Sequence, residues 1–443
     1  MPPGRPDARD GNETPPLEQE AAPATADPTG PGPLATPLAL RANFSWTFFG
    51  NVAYAASQWG IVVLLAKLGT PRIVGRYSLA LALTTPVMTF ALLSLREVFV
   101  TDTRRDYAFR EYVWVRVAAC GAAFLLLALV VPQVYVRGTA LVVLAVAISK
   151  VFDGISDIYW GLFQQRERMD VVARSLIARN LASVVVLAAA VFLTGSLLVG
   201  ALLSAAVSAA TLVAYDLPRS RGLAPRAARD AGSPPGPRRL RLLGLSLPLA
   251  VSTTLISLNV TIPRIFVESH AGEAQLGIFA SIAYLMVPGI TLMTSLGQAV
   301  APRLARTYAD GDSAGFWRLV GKMTALACGL GVAGLALALI AGERVLTLLY
   351  SPAYGEHSDV FVWVMIAALV QYVAVVVGFT TTATRQFRRF LLPYVAVTVV
   401  AVAASAQLIP VSGIRGAAWV LCITAAASCL IPLAFLTYRH RAA

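Results

Sequence analysis

The 443-residue chain reads as an all-α polytopic membrane protein of about twelve transmembrane helices, in two six-helix lobes around a central cavity. Three observations predict this. Apolar runs of about 20 residues, the length that crosses a bilayer as a helix, recur from residue 41 to the end. Hydrophobic residues make up 57% of the chain and charged residues only 13%, where a soluble chain carries about 25% charge. The third observation is a parity in the basic residues. Arg104, Arg105 and Arg110 follow the second run, and Arg166, Arg168 and Arg174 the fourth. A dense set from Arg219 to Arg241 follows the sixth, Arg303, Arg306, Arg318 and Lys322 the eighth, Arg385, Arg388 and Arg389 the tenth, and Arg439 and Arg441 close the chain. The alternate gaps hold only Lys67, Arg72, Arg76, Arg137, Arg344 and Arg415. Short loops rich in Lys and Arg stay cytoplasmic, so the expected topology has both termini on the cytoplasmic side of the membrane.

Taken in order, residues 1–40 form a Pro-, Gly- and Ala-rich stretch bearing six acidic side chains, expected to be a disordered cytoplasmic tail. It lacks the basic and apolar regions of a signal peptide, so the first helix is expected to direct insertion. Helices are expected near 44–66, 76–99, 112–132, 139–163, 173–193 and 196–215, making an N-terminal lobe over 41–216. The longest internal gap, 217–241, contains SPPGPRR and reads as a cytoplasmic linker. A second lobe over 242–443 follows, with helices near 243–267, 276–299, 319–340, 358–380, 390–409 and 415–437. The halves echo one another weakly: LGTPRIVGRYSLALAL follows the first helix and AGEAQLGIFASIAYLM the seventh. With six helices each, both halves enter from the same side and are related by an axis along the membrane normal, an arrangement typical of transporters.

The net charge of +13 would raise the question of nucleic acid in a soluble protein. Here the basic residues sit at helix ends, facing anionic lipid, so membrane lipids and not nucleic acid are the expected partners. Cys120, Cys328, Cys422 and Cys429 all fall within apolar segments without metal spacing. His270, His357 and His440 are far apart, in loops or the tail. No phosphate-binding loop or Ser/His/Asp set is recognisable, so no cofactor, metal or catalytic residue is expected and the chain does not read as an enzyme.

Three stretches, NVTIPRIFVESHAGEAQLGIFASIAYLMVPG at 259–289, GQAVAPRLARTYADGD at 297–312 and LLYSPAYGEHSDVFVWV at 348–364, resemble bacterial polysaccharide-biosynthesis flippases. NVAYAASQWGIVVLLAKLGTPRIVGRYSLALAL at 51–83 has the same character. These belong to the multidrug/oligosaccharidyl-lipid/polysaccharide exporter superfamily, and the likeness runs from about residue 40 onward, in diffuse patterns of Gly, Pro and aromatic residues. The resemblance implies alternating access of two six-helix lobes and an undecaprenyl-diphosphate-linked glycan, lipid II or drug as cargo.

A lipid-linked oligosaccharide can leave its tail in the bilayer, but its anionic head needs a wet path lined by cations. Charged side chains within a membrane helix cost at least about 2.5–3.5 kcal/mol near the centre, so they face a cavity, a partner or an interface. The fourth helix carries Lys150, Asp153 and Asp157 on one face. This is either a locally neutralised pair with a helix contact, or a cavity wall where Lys150 attracts the head group and an aspartate binds a coupling ion. Arg96 and Glu97 lie in the last turns of the second helix, to snorkel or to face the path, Glu97 as a third coupling carboxylate. Arg179 is about two turns into the fifth helix, deep enough to hold a diphosphate bidentately or to snorkel.

Asn259, Pro263 and Arg264 on the seventh helix mark a kink and either an outer cation for the cargo or an interfacial anchor. Asn51 and Gln58 share a face of the first helix, as cavity lining or as interhelical glue. Trp46, Trp59, Tyr159 and Trp160 fit aromatic belts. Further expected partners are H+ or Na+, a polysaccharide polymerase and glycosyltransferases. The alternatives are a cation-coupled multidrug or small-molecule exporter and, less well supported, a membrane-embedded glycan polymerase or ligase. The first should offer carboxylates in an apolar cavity, and the second a large external loop or acidic motif.

Overall fold

A computed structural model describes residues 38–102, 107–223, 235–383 and 391–440. The expected 1–40 tail lies almost wholly outside them, as do Arg104, Arg105, Arg226, Arg229, Arg385, Arg388, Arg389 and Arg441.

The described chain is helical, in the order α1 (Leu40–Leu68), α2 (Pro71–Leu92), α3 (Leu95–Thr101), α4 (Phe109–Val134), α5 (Arg137–Gln165), α6 (Met169–Thr194) and α7 (Leu197–Thr211). A π-helical turn at Leu212–Asp216 leads into α8 (Leu217–Ser220). The second half comprises α9 (Pro235–Tyr284), α10 (Val287–Ala309), α11 (Ser313–Leu349), α12 (Pro352–Gly355), α13 (Ser358–Ala383) and α14 (Leu391–His440). Ten helical runs are long and apolar enough to cross a bilayer. Two of these cannot be single spans. One runs through α9 into α10, Arg238–Ala301, and is 64 residues long, and the other, Leu392–Ile431 in α14, is 40 residues long, about 96 and 60 Å of helix against a core of about 30 Å. Each is broken by a glycine with positive φ, Gly272 at 81° and Gly413 at 55°, a backbone conformation that other residues adopt only with strain. Taken as two segments each, these runs agree with the twelve spans expected.

The second expected helix, 76–99, is corrected. It begins at Pro71, where proline at the first position needs no donor and has its φ preset. It breaks at Leu93 and Ser94, both left-handed with φ of 51° and 44°. Of the expected 217–241 linker, Leu217–Ser220 continues as helix and Pro235 opens the next, leaving a shorter connection whose residues 224–234 lie outside the description.

Alternation of the helices gathers the basic loops at one end. There Arg166 donates to the Leu223 carbonyl at 2.9 Å, Gln165 to that of Phe99 at 3.4 Å, and the Met169 amide to Asn43 at 3.0 Å. At the opposite, arginine-poor end Arg415 pairs with Asp359. Helices of each half pack mainly on one another, and the principal contact across the halves is α2 against α9. Its closest point is backbone on backbone: a methyl group at Gly75 would strike the Glu273 carbonyl, and one at Gly277 the Pro71 carbonyl.

Candidate substrate cleft and its charged walls

The residues singled out on the fourth helix part company. Lys150, Asp153, Arg179 and Gln58 line one cleft of about 60 Å³ between α1, α2, α5, α6 and α7, with Tyr77 and Asn180. A space so narrow does not admit a glycan as it stands. Asp153 does not pair with Lys150. It binds the Arg179 guanidinium at 3.0 Å and accepts the Ser208 hydroxyl at 2.9 Å. Lys150 makes no ion pair among the described residues. Arg179 is only 5% exposed, and its guanidinium stacks over Trp160 at 4.6 Å. Trp160 therefore leaves the aromatic belt: it is buried and donates to Ser175 at 3.2 Å.

Asp157 points elsewhere. Its two oxygens take Arg96 and Arg116, each at 3.1 Å, while Arg96 also donates to Gln164 at 3.0 Å. The Leu93–Ser94 break is what turns Arg96 onto α5 in place of a snorkelling position. Arg116, which the sequence reading passed over, is fully buried, with Nε and Nη1 lacking hydrogen-bond partners among the described residues. It sits two turns into α4, deeper than Arg110 and Glu111 of the first turn, and that depth was the available signal. Glu97, one residue beyond Arg96, is exposed at the arginine-rich end. Asn51 is half-buried on α1 and is not among the residues lining the cleft.

Arg264 and Asn259 belong to a different space. They line a mostly aliphatic cavity of about 450 Å³ in the C-terminal half, with Gln371, Tyr394 and Thr424. The Arg264 guanidinium lies 5.3 Å above Tyr284, and Asn259 Oδ1 is buried without a partner among the described residues.

At the arginine-poor end, Glu273 closes the α2–α9 contact. Its Oε2 accepts from Arg72 and Arg76, both at 2.9 Å, and its Oε1 from Thr139 at 2.6 Å. Glu273 stands in the outer turn of the internal echo but carries no sequence signal of its own, because its partners lie up to 201 residues away.

The molecule is therefore a polytopic helical protein with a cleft lined by Lys150 and Arg179 in one half and a separate ion cluster on Glu273 that joins the two halves. The chain belongs to the polysaccharide biosynthesis protein family, whose model matches residues 40–308. It is similar to the capsular polysaccharide biosynthesis protein CapF of Staphylococcus aureus, 28% identical over 350 residues that cover 78% of this chain and 86% of that one. Its fold is shared with the lipid II flippase MurJ in an inward closed conformation, with a TM-score of 0.69, 12% identity and coverage of 89% of this chain and 87% of that one. A MOP superfamily transporter from Pyrococcus furiosus matches with a TM-score of 0.60 at 14% identity, covering 89% and 94%. An inward-facing multidrug resistance MATE family transporter matches with a TM-score of 0.62 at 13% identity, covering 90% and 95%. The chain is thus a multi-pass helical membrane protein of the polysaccharide biosynthesis protein family, with the fold of these transporters.

Proposed function

We propose that this protein flips an undecaprenyl-diphosphate-type, lipid-linked oligosaccharide across the bacterial cytoplasmic membrane by alternating access, with both termini and the arginine-rich loops in the cytoplasm. The observation that carries the reading is the cleft holding Lys150 and Arg179 together. Arg179 offers a planar fork suited to a diphosphate, and Lys150 a point charge beside it. Gln58 and Asn180 add polar contacts for a sugar. With the cleft at about 60 Å³ and the α2–α9 crossing sealed, loading requires the cleft to widen toward the arginine-rich end.

A cation-coupled drug exporter of the same fold is less well supported, since the one acid lining this cleft, Asp153, is bound to a guanidinium. Within the flippase reading, Arg264 and Asn259 would meet the cargo from the C-terminal half. Of the three carboxylates expected to couple H+ or Na+, Asp157 is held by two arginines, Glu97 is exposed, and Asp153, the one in the cleft, is held by Arg179 and would bind an ion only on its release. Glycosyltransferases and a polymerase would act before and after the flip.

Cells whose only copy carries Lys150→Ala or Arg179→Ala should lose surface polymer while the protein stays in the membrane at normal level. Normal polymer output from both would overturn the cleft assignment.

A further inference from the structure

Asp216 is a carboxylate that neither the sequence reading nor the cleft accounts for, and its side chain is wholly buried, at 0% exposure. It closes the π-helical turn Leu212–Asp216, a distortion that recurs at functional positions. Its Oδ1 accepts the Ser175 hydroxyl at 2.8 Å. Neither Oδ2 nor the Ser156 hydroxyl beside it makes a hydrogen bond of proper geometry among the described residues. A buried carboxylate ion requires a cation or several donors, whereas a carboxylic acid in the same place needs one acceptor. An Oδ2–H group donating to Ser156 would satisfy both orphan oxygens at once.

The charged neighbours sharpen this. Asp170 is bound to Arg168 at 2.9 Å, Arg174 is stacked on Trp46, and Arg219 on Tyr215. The cation whose charge acts on Asp216 is Arg179. It lies one helical turn beyond Ser175 on the same face of α6, over the Trp160 ring whose Nε1 donates to Ser175. In this structure its guanidinium is committed to Asp153. One cation thus stands between two carboxylates.

We propose that Asp216 is a proton-binding site that governs the partner of Arg179. With Asp216 protonated, Arg179 is left to Asp153 and, on the flippase reading, to the anionic head group that displaces Asp153. When Asp216 releases its proton to water, the new carboxylate draws Arg179 away, and the three-group set passes from neutral to a net charge of −1, which expels an anion. Proton and anionic cargo are then mutually favouring ligands of one site.

The test is infrared difference spectroscopy of the full chain in lipid vesicles, following the carboxylic-acid C=O stretch as bulk pH is titrated. Wild type should keep a protonated-carboxyl band at neutral pH, and Asp216→Asn should lose it. Asp153→Asn should lose it too, although Asp216 is intact, because Arg179 is freed to turn and ionise it. A band untouched by Asp216→Asn, or one that survives in Asp153→Asn, would overturn the proposal. If Asp216→Asn fails to accumulate in the membrane, the comparison of Asp153→Asn with wild type decides alone. No cargo is present in this measurement, so its failure is separate from failure of the flippase reading, which polymer output tests.

Discussion

Arg76 and Glu273, 197 residues apart in the chain, meet at 2.9 Å across the junction of the two halves. Arg72 adds a second bond to the same oxygen, but its side chain is 66% exposed and contributes correspondingly less. The cluster sits beside the Gly75 and Gly277 crossing and ties the two halves together where their backbones touch.

Removing that carboxylate should therefore open the arginine-poor end. Val74, fully buried on α2, provides the reporter: a Val74→Cys protein should react slowly with a membrane-impermeant maleimide. Adding Glu273→Ala should raise its labelling rate roughly tenfold, as a loss of about 1.5 kcal/mol from a charged hydrogen bond would do. Equal rates in both proteins would mean that the cluster has no hold on the crossing.

The same closure should depend on pH in both directions. Burial pushes the Glu273 carboxyl up, but the bonds from Thr139 and Arg72 and the charge of Arg76 outweigh it and hold it below the usual glutamate range. Its contribution is present above the ordinary value near 4.5 and is lost as pH falls through the depressed one. Glu268 behaves in the opposite sense, raised by burial and then by the Glu273 charge. The closed state prefers it protonated, so closure weakens as pH climbs from the ordinary value through the raised one. Val74→Cys labelling, expressed relative to an exposed cysteine at the same pH because the thiolate is the reacting form, should accordingly pass through a minimum in mild acid, and Glu268→Gln should flatten the rise on the alkaline side.

Filling the crossing should act more bluntly. Gly75→Val places carbon where the Glu273 carbonyl now lies, and forced overpacking typically costs about 1–3 kcal/mol. The expected result is an arginine-poor end that stays open, with fast labelling that Glu273→Ala no longer accelerates. Additive acceleration would place the crossing and the ion cluster on separate contacts.

Asp157 should prove structural. Replacing it by Asn leaves the fully buried Arg116 without its anion, a loss of about 3–5 kcal/mol by the measure of broken buried pairs. Thermal unfolding in detergent should show a large fall in midpoint for Asp157→Asn, and Arg116→Met added to it should restore most of the loss. If the double variant is no more stable than the single, Arg116 is not the strained partner.

Much of the architecture was legible because the bilayer imposes lengths and loop charges directly on the sequence. The apolar runs that become membrane-length helices need no knowledge of tertiary contacts. The site was legible only in part. Lys150, Asp153, Arg179 and Gln58 do share a cleft, since helical spacing and depth constrain which face they occupy. What spacing cannot reveal is the partner. Asp153 and Asp157, four residues apart, are drawn to different arginines on different helices, and the Leu93–Ser94 break that turns Arg96 inward carries no glycine or proline to announce it. Asp216 reads as the polar end of a span until a π turn buries it.

The meeting of Gly75 and Gly277 with opposing backbone has a kinetic meaning. Contacts made by glycine freeze no side-chain rotamers when they form and release none when they part, whereas each long side chain trapped at such a junction would cost up to about 2 kcal/mol of entropy. If the protein works by the alternating access proposed above, its two halves would separate and rejoin there without a large barrier of reordering. The balance between the shut and parted forms rests on a handful of charged groups, which a single ligand's preference for one form is strong enough to tip.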